Sequence, residues 1–158
     1  MPSYNERRHN VPERQLLIER PRHEVFEILS DPVYLADLSP PDQRMRVNRV
    51  STPTLQAGTT IDSTLRVRGL PIRWRSEITT WDPPGLIVEV QRIGPFRMWE
   101  LERSFIDEGR DTLVIEKLTY DLLGGSVLDR LLVRHDLERF FDFRTERLRQ
   151  VFTDPALF

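Results

Sequence analysis

Two breaks rich in proline and glycine divide residues 69–105 into three runs of strand-like sequence. The breaks are WDPPG at residues 81–85 and IGP at residues 93–95. Within the runs apolar and polar residues alternate, as in IRWR at residues 72–75, which places successive side chains on opposite faces of a strand. Proline and glycine favour turns and do not continue a central ladder. The stretch therefore predicts an antiparallel meander, with strands over 71–81, 86–92 and 96–106.

A long amphipathic segment at residues 127–151 is the second constraint. Ser126, followed three residues later by Asp129, is a capping-box-like start. Apolar residues then recur every three or four positions and predict one helix with a single apolar stripe. The stripe contains Val133, Leu137, Phe140, Phe141, Leu148, Val151 and Phe152. At 1.5 Å per residue the helix would be about 37 Å long, which is enough to cover one face of a sheet.

The remaining chain completes an α+β domain in the order β-α-α-β6-α. Further strands are predicted over 11–19, 44–51, 59–67 and 112–122, with short helices over 21–29 and 32–38 that each begin at a proline. Residues 1–8 are predicted to be a flexible tail, so that 1–158 forms a single domain. A curved seven-stranded antiparallel sheet wrapped around the long C-terminal helix satisfies this order. Such a sheet cannot close on one helix everywhere, and a hydrophobic cavity between them is expected to bind a small ligand.

Composition narrows the function classes. The net charge of −2, with 30% charged residues of both signs, argues against a nucleic-acid partner, which needs clustered Lys and Arg. The absence of cysteine excludes disulfides and thiolate metal sites. No apolar run approaches the length of a membrane span, and no signal-peptide pattern is present. We therefore expect a cytoplasmic protein without a metal, a cofactor or a recognisable catalytic constellation; the sequence leaves its oligomeric state open.

Four strings of the sequence resemble the SRPBCC superfamily. They are LLIERPRHEVFEILSDPVYL, LSPPDQRMRV, GLPIRWRSEITTWDPPGLIVEVQRIGPFRMW and LERFFDFRTERL. This superfamily is the helix-grip group of START lipid-transfer domains, Bet v-like pollen-allergen carriers and polyketide cyclases. The resemblance covers residues 11–152 and is greatest to bacterial single-domain ligand-binding proteins of the polyketide cyclase/dehydrase-like group. It implies a helix-grip fold with a small hydrophobic or amphipathic ligand between the sheet and the C-terminal helix.

Two departures from that resemblance bear on chemistry. The relatives' sixth strand reads Trp-x-His-x-His-x-Phe, whereas here Leu101 and Arg103 follow Trp99 at the two histidine positions. The acidic residue of the seventh strand is present as Glu116, in phase with Tyr120. Whatever proton-transfer or metal role those histidines have in relatives is therefore not implied for this chain.

Arg103 and Glu116 are the most specific candidate pair. A hairpin turning at 108–109 would place Arg103 opposite residue 114, with Glu116 as its diagonal neighbour on the same face. The pair either orients the polar head of a ligand or is a structural ion pair, since buried charges need partners in both cases. Glu100 and Lys117 are expected to pair on the opposite, solvated face.

The remaining candidate ligand-binding residues depend on which face of each strand and of the helix points into the cavity. For strand 86–92, hydrophobicity favours Leu86, Val88 and Val90 as the core side, whereas the resemblance and the hairpin parity favour Ile87, Glu89 and Gln91. Arg144 interrupts the apolar stripe of the helix and either reaches an acidic ligand group or extends out to solvent. Further residues either line the cavity or simply belong to the hydrophobic core. They are Trp74, Ile78, Trp99, Leu101, Tyr120, Leu137 and Phe141.

Three functions follow from these observations. The first is a non-catalytic carrier or sensor of a small lipid, isoprenoid or polyketide-like ligand. The second is a polyketide cyclase/dehydratase-like enzyme that uses Glu89, Glu116 or Tyr120 as acid or base. The third is a protein-interaction module, which would need an exposed apolar patch.

Overall fold

The computed structural model describes residues 9–154 and 156, and within them one antiparallel sheet has seven strands in the order β1-β7-β6-β5-β4-β3-β2. The predicted tail at residues 1–8 lies outside the described residues. The strands are β1 His9–Ile18, β2 Arg46–Val50, β3 Thr60–Val67, β4 Leu70–Asp82, β5 Leu86–Ile93, β6 Phe96–Glu108 and β7 Asp111–Leu122. The helices are α1 Arg22–Ser30 and α2 Val127–Thr153, and two 3₁₀ turns, Pro32–Tyr34 and Pro41–Gln43, precede β2.

Helix α2 packs on the face of the sheet that carries the apolar residues. Its buried side chains include Leu137, Phe141, Leu148 and Val151, which confirms the middle and end of the predicted stripe. The helix begins with a complete capping box, because the side chain of Ser126 accepts from the N–H of Asp129 and the carboxylate of that aspartate accepts from Ser126 N. The predicted α+β helix-grip architecture is confirmed.

The second short helix was predicted too long. Residues 32–38 contain only the 3₁₀ turn Pro32–Tyr34, capped by the Asp31 side chain, which accepts from Val33 N. Val33 is 68% exposed, whereas Leu38 is buried and Tyr34 packs against the same core cluster. A second 3₁₀ turn at Pro41–Gln43 was not predicted.

The β6–β7 hairpin turns one residue later than the sequence suggested. Glu108 pairs with Asp111, and this register places Arg103 directly opposite Glu116 rather than diagonal to it. The predicted partner of Arg103 at residue 114 was therefore wrong, although Arg103 and Glu116 do share a face.

The ambiguous strand is settled by burial. Ile87 is fully enclosed in the core and Glu89 contacts Arg103, so the inward face of β5 carries Ile87 and Glu89. Leu86, Val88 and Val90, which hydrophobicity alone favoured as the core side, therefore lie on the outer face of β5. Among the described helices, none is both long enough and apolar enough to cross a membrane.

Candidate functional site

A layer of buried charge separates two apolar clusters between the sheet and α2. On β6, Arg103 lies between Leu101 of one cluster and Phe105 of the other. The same sequence of apolar, charged and apolar residues recurs on two more elements. On β7 it is Leu118, Glu116 and Val114, and on α2 it is Phe141, Arg144 and Leu148.

Glu116 is the centre of this layer. Its Oε2 accepts from Arg103 Nε at 3.2 Å, and its Oε1 lies 3.3 Å from Arg144 Nε. Arg103, Glu116 and Arg144 are 2%, 5% and 2% exposed. The three most buried charges therefore sum to +1. Glu89 lies at the margin, with its Oε1 4.0 Å from Arg103 Nη1 and its side chain 19% exposed.

Arg103 also connects the layer to the first helix. Its Nη1 donates to the backbone carbonyl of Leu29 at 3.0 Å, at the C-terminal end of α1, where carbonyl groups lack helical partners. This contact joins β6 to α1 and accounts for part of the burial of Arg103. No sequence pattern indicates this contact, because Leu29 contributes only its backbone.

The electrostatics keep the layer charged at neutral pH. Burial alone raises the pKa of Glu116, but the charges of Arg144 and Arg103 and the hydrogen bond from Arg103 outweigh it and hold that pKa below its ordinary value. Burial lowers the pKa of Arg144 to about 10, against the attraction of Glu116. Both groups therefore remain ionised at pH 7.

Arg144 is incompletely bonded. Its Nε and Nη2 are buried and make no hydrogen bond within the described residues, although Glu116 Oε1 lies 3.3 Å from Nε. Nε and Nη2 form the edge of a guanidinium that grips a carboxylate with two parallel bonds. Elsewhere in this protein the same edge is occupied, by Asp136 on Arg68 and by Asp62 on Arg75. The prediction that Arg144 extends out to solvent was wrong.

Aromatic side chains form one apolar end of the interior. Trp74 and Trp99 meet edge to face with ring centroids 5.0 Å apart, and Phe96 packs against Trp99 and Tyr120. Burial raises the pKa of Tyr120. Leu101, Leu137 and Phe141 belong to the same cluster, whereas Ile78 lies in the other cluster, beside α1. The predicted wall residues therefore fall into two groups, one on each side of the charged layer.

Gln91 has a structural partner. Its Nε2 donates to Phe96 O at 2.7 Å and its Oε1 accepts from Phe96 N at 3.1 Å, which braces the β5–β6 hairpin. The side chain lies so close to Gly94 that a Cβ there would collide with it. Its amide is thus already fully engaged without a ligand.

Two further expectations differ from the structure. Lys117 forms its ion pair with Glu13 on β1, at 3.6 Å, and lies opposite Glu102 rather than Glu100. The first two turns of α2 do not pack on the sheet, and their apolar residues are exposed, together with Leu123 before them. These residues are Val127, Leu128, Leu131 and Leu132. Periodicity alone could not show that the helix extends past the sheet.

Among the pockets at the surface of the described structure, two are large enough for a small ligand. One of about 560 Å³ lies between the Pro40-Pro41 turn and α2, and one of about 320 Å³ lies against the outer face of β2 and β3. Neither of these two pockets lies in the interior between the sheet and α2. Among the described residues no group of three or more His, Asp or Glu side chains is placed to hold a metal ion.

Comparisons with known proteins agree on the fold. No family model matches the chain, and no curated protein matches it. The solved structures of similar fold include the Zhui aromatase/cyclase from Streptomyces sp. R1128, at 17% identity and a TM-score of 0.65, covering 91% of this chain and 96% of that one. They also include ginseng major latex-like protein 151 from Panax ginseng, at 13% identity and a TM-score of 0.67, covering 94% and 99%. A START superfamily protein from Mycobacterium smegmatis matches at 15% identity and a TM-score of 0.65, covering 90% and 99%. The chain therefore shares the fold of these solved structures, and the predicted helix-grip fold is confirmed.

Proposed function

We propose that this protein is a non-catalytic carrier or sensor of a small amphipathic molecule with an acidic head group, of the lipid, isoprenoid or polyketide-like class. The observation that carries the proposal is the Nε/Nη2 edge of Arg144, which is buried between two apolar clusters and makes no hydrogen bond with a described residue, although its Nε forms an ion pair with Glu116. A buried donor without an acceptor is costly, and a carboxylate or phosphate would satisfy it. The apolar part of the ligand would lie against the aromatic cluster of Trp74, Phe96, Trp99 and Tyr120.

The burial of Arg144 limits how such a ligand can bind. Arg144 is 2% exposed, so the surrounding side chains close over its guanidinium. Binding therefore requires side chains of the charged layer or of the aromatic cluster to move aside. The fold supports this proposal because its relatives include START superfamily proteins.

The alternative of a cyclase/dehydratase-like enzyme has weaker support from the charges. Glu116 is held ionised and shared between two arginines, which makes it a poor general acid at neutral pH and a weak base. Burial raises the pKa of Tyr120 further from neutrality. The third alternative, an interaction module, rests on the exposed leucines of the first turns of α2.

The test begins with what the purified protein retains. Native mass spectrometry followed by organic-solvent extraction is expected to find a bound molecule with an apolar body and an acidic group. Binding is then measured by tryptophan fluorescence with matched acids and alcohols of six to twelve carbons at pH 7.5. A charge-assisted hydrogen bond contributes about 1.5–3 kcal/mol, so Arg144→Met is expected to weaken acid binding about 10- to 100-fold and to leave alcohol binding unchanged.

Arg139→Met is the matched control, because Arg139 lies on the exposed side of the same helix and pairs with Asp42. It is expected to change neither series. The proposal is wrong if no molecule is retained and neither acids nor alcohols bind saturably. If both series bind but Arg144→Met affects them equally, an apolar site exists and the role of Arg144 as head-group anchor is wrong.

A further inference from the structure

A row of arginines crosses the outer face of the sheet, on the side away from α2. Arg46 on β2 lies opposite Thr64 on β3, and Thr64 lies opposite Arg73 on β4. Arg66 is on the same face of β3, two residues from Thr64, because the intervening positions Ser63 and Leu65 alternate to the inner face. Like charges on neighbouring strands repel, so this face of the sheet carries an electrostatic cost.

These arginines have no acidic partner within the described residues. Of the twenty arginines in the described residues, ten form an ion pair with a carboxylate, and Arg44, Arg46, Arg66 and Arg73 belong to the ten that do not. The nearest acid on this face, Asp62, is already held by two hydrogen bonds from Arg75. This face therefore carries an excess of guanidinium groups without an ion pair, whereas the whole chain has a net charge of −2.

Three of the arginines line a concave surface. The groove of about 320 Å³ is bounded by Arg44, Arg46 and Arg66, with Thr64 between them and with Leu65 and Pro71. Its size is at the lower end of the range for small-molecule sites. Thr64 Oγ1 accepts from Asn48 Nδ2 at 3.5 Å, which leaves its own O–H free to donate into the groove.

Arg44 reaches the groove from an unusual backbone conformation. Its φ of 44° lies in the left-handed region, which residues other than glycine rarely adopt. The conformation ends the Pro41–Gln43 turn, where Arg44 N donates to Pro41 O at 3.2 Å. The turn thus places Arg44 in the lining of the groove, together with Arg46 and Arg66.

We infer that this groove is a binding site for a phosphate group, carried by a small phosphorylated molecule or by a phospholipid head. Guanidinium groups bind phosphate oxygens with paired, charge-assisted hydrogen bonds, and the Thr64 hydroxyl supplies a further donor. A bound phosphate would also neutralise the repulsion along the row. The site lies on the opposite side of the sheet from Arg144, so this inference does not depend on the proposed ligand of the interior.

The test uses inorganic pyrophosphate as the free probe. Isothermal titration calorimetry at low ionic strength is expected to show saturable binding that weakens as salt is added. The double variant Arg46→Gln/Arg66→Gln is expected to weaken it at least about tenfold, because two charge-assisted contacts are removed. The double variant Arg130→Gln/Arg149→Gln removes the same charge from exposed positions of α2 and is expected to bind as the wild type does.

Vesicles distinguish the source of the phosphate. Sedimentation with phosphatidylcholine vesicles containing one-fifth phosphatidic acid, compared with pure phosphatidylcholine, reports binding to a lipid phosphate. Binding to these vesicles but not to pyrophosphate assigns the site to a phospholipid head, and the reverse result assigns it to a free molecule. In either case backbone NMR shifts of the wild type should concentrate at residues 44–46 and 64–73.

The inference is overturned if the wild type binds neither probe, or if both double variants lose affinity equally. It is also overturned if the NMR shifts fall elsewhere, and this measurement needs no variant. None of the four substituted residues belongs to the core, so folding should be unaffected.

Discussion

Glu116→Gln is the substitution that most directly tests the buried charge layer. The change keeps the shape of the side chain but leaves Arg103 and Arg144, each 2% exposed, without their shared carboxylate. Breaking a buried ion pair by removing one partner costs about 3–5 kcal/mol. For a chain of this size each 1 kcal/mol shifts the melting temperature by about 2–4 °C, so the expected loss is roughly 6–20 °C.

The assay is urea unfolding, with the melting temperature from calorimetry as a second measure. Glu100→Gln is the control, because Glu100 lies on the neighbouring strand β6, exposed on the outer face of the sheet. The control is expected to stay within about 0.5 kcal/mol of the wild type, as exposed substitutions usually do. The comparison separates the loss of a buried carboxylate from the general effect of removing one negative charge.

The pH dependence gives a second, independent signature. The pKa of Glu116 is lower in the folded protein than in the unfolded chain, so its stabilising contribution is fully present above the unfolded pKa of about 4.3. That contribution is lost as the pH falls through the lower folded value. The difference in unfolding free energy between the wild type and Glu116→Gln is therefore expected to be constant near pH 7 and to shrink below about pH 4.

Either of two results would refute this reasoning. The first is a loss below about 1 kcal/mol at pH 7, which would mean that the carboxylate does not compensate the arginines. The second is a difference that stays constant down to pH 3, which would mean that the loss comes from packing rather than from charge.

Three further substitutions test other parts of the fold. Arg144→Met is expected to change the free energy of unfolding by less than about 1 kcal/mol, because Glu116 keeps its ion pair and hydrogen bond with Arg103 and the net charge of the buried layer falls from +1 to zero; urea unfolding measures it. Ser126→Ala removes the capping box of α2 and should cost about 1 kcal/mol, while Ser126→Asp should retain most of it. Phe26→Ala should cost about 3–5 kcal/mol, because Phe26 is buried and packs edge to face on both Trp81 and Phe105; thermal unfolding measures both.

The sequence predicted the fold well because the local signals agreed with one another. Alternation in residues 69–105, proline-rich breaks and one long amphipathic helix each limit the chain to the same arrangement. The pairing register of β6 and β7 was predicted less accurately than the fold. The face shared by Arg103 and Glu116 followed from parity, but their direct pairing depends on a two-residue turn whose position the sequence did not define.

The composition of the site was harder to predict than the fold. Each charged residue of the layer interrupts an apolar run on its own element, and the sequence shows these interruptions at Arg103, Glu116 and Arg144. These three residues come into contact because of the way α2 lies across β6 and β7. No local sequence pattern determines that arrangement. The contact with Leu29 was beyond prediction for a related reason, since backbone carbonyls carry no sequence signal.

The relative cost of two substitutions separates a structural ion network from a binding site. A network kept for stability satisfies each of its members, since a partly satisfied buried network is worse than an apolar core. In this layer Glu116 serves two arginines, while the Nε/Nη2 edge of Arg144 makes no hydrogen bond with a described residue. If stability were the reason for Arg144, removing it should cost about as much as removing Glu116. A large loss for Glu116→Gln together with little loss for Arg144→Met would mean that Arg144 is retained for an acidic group from outside the chain.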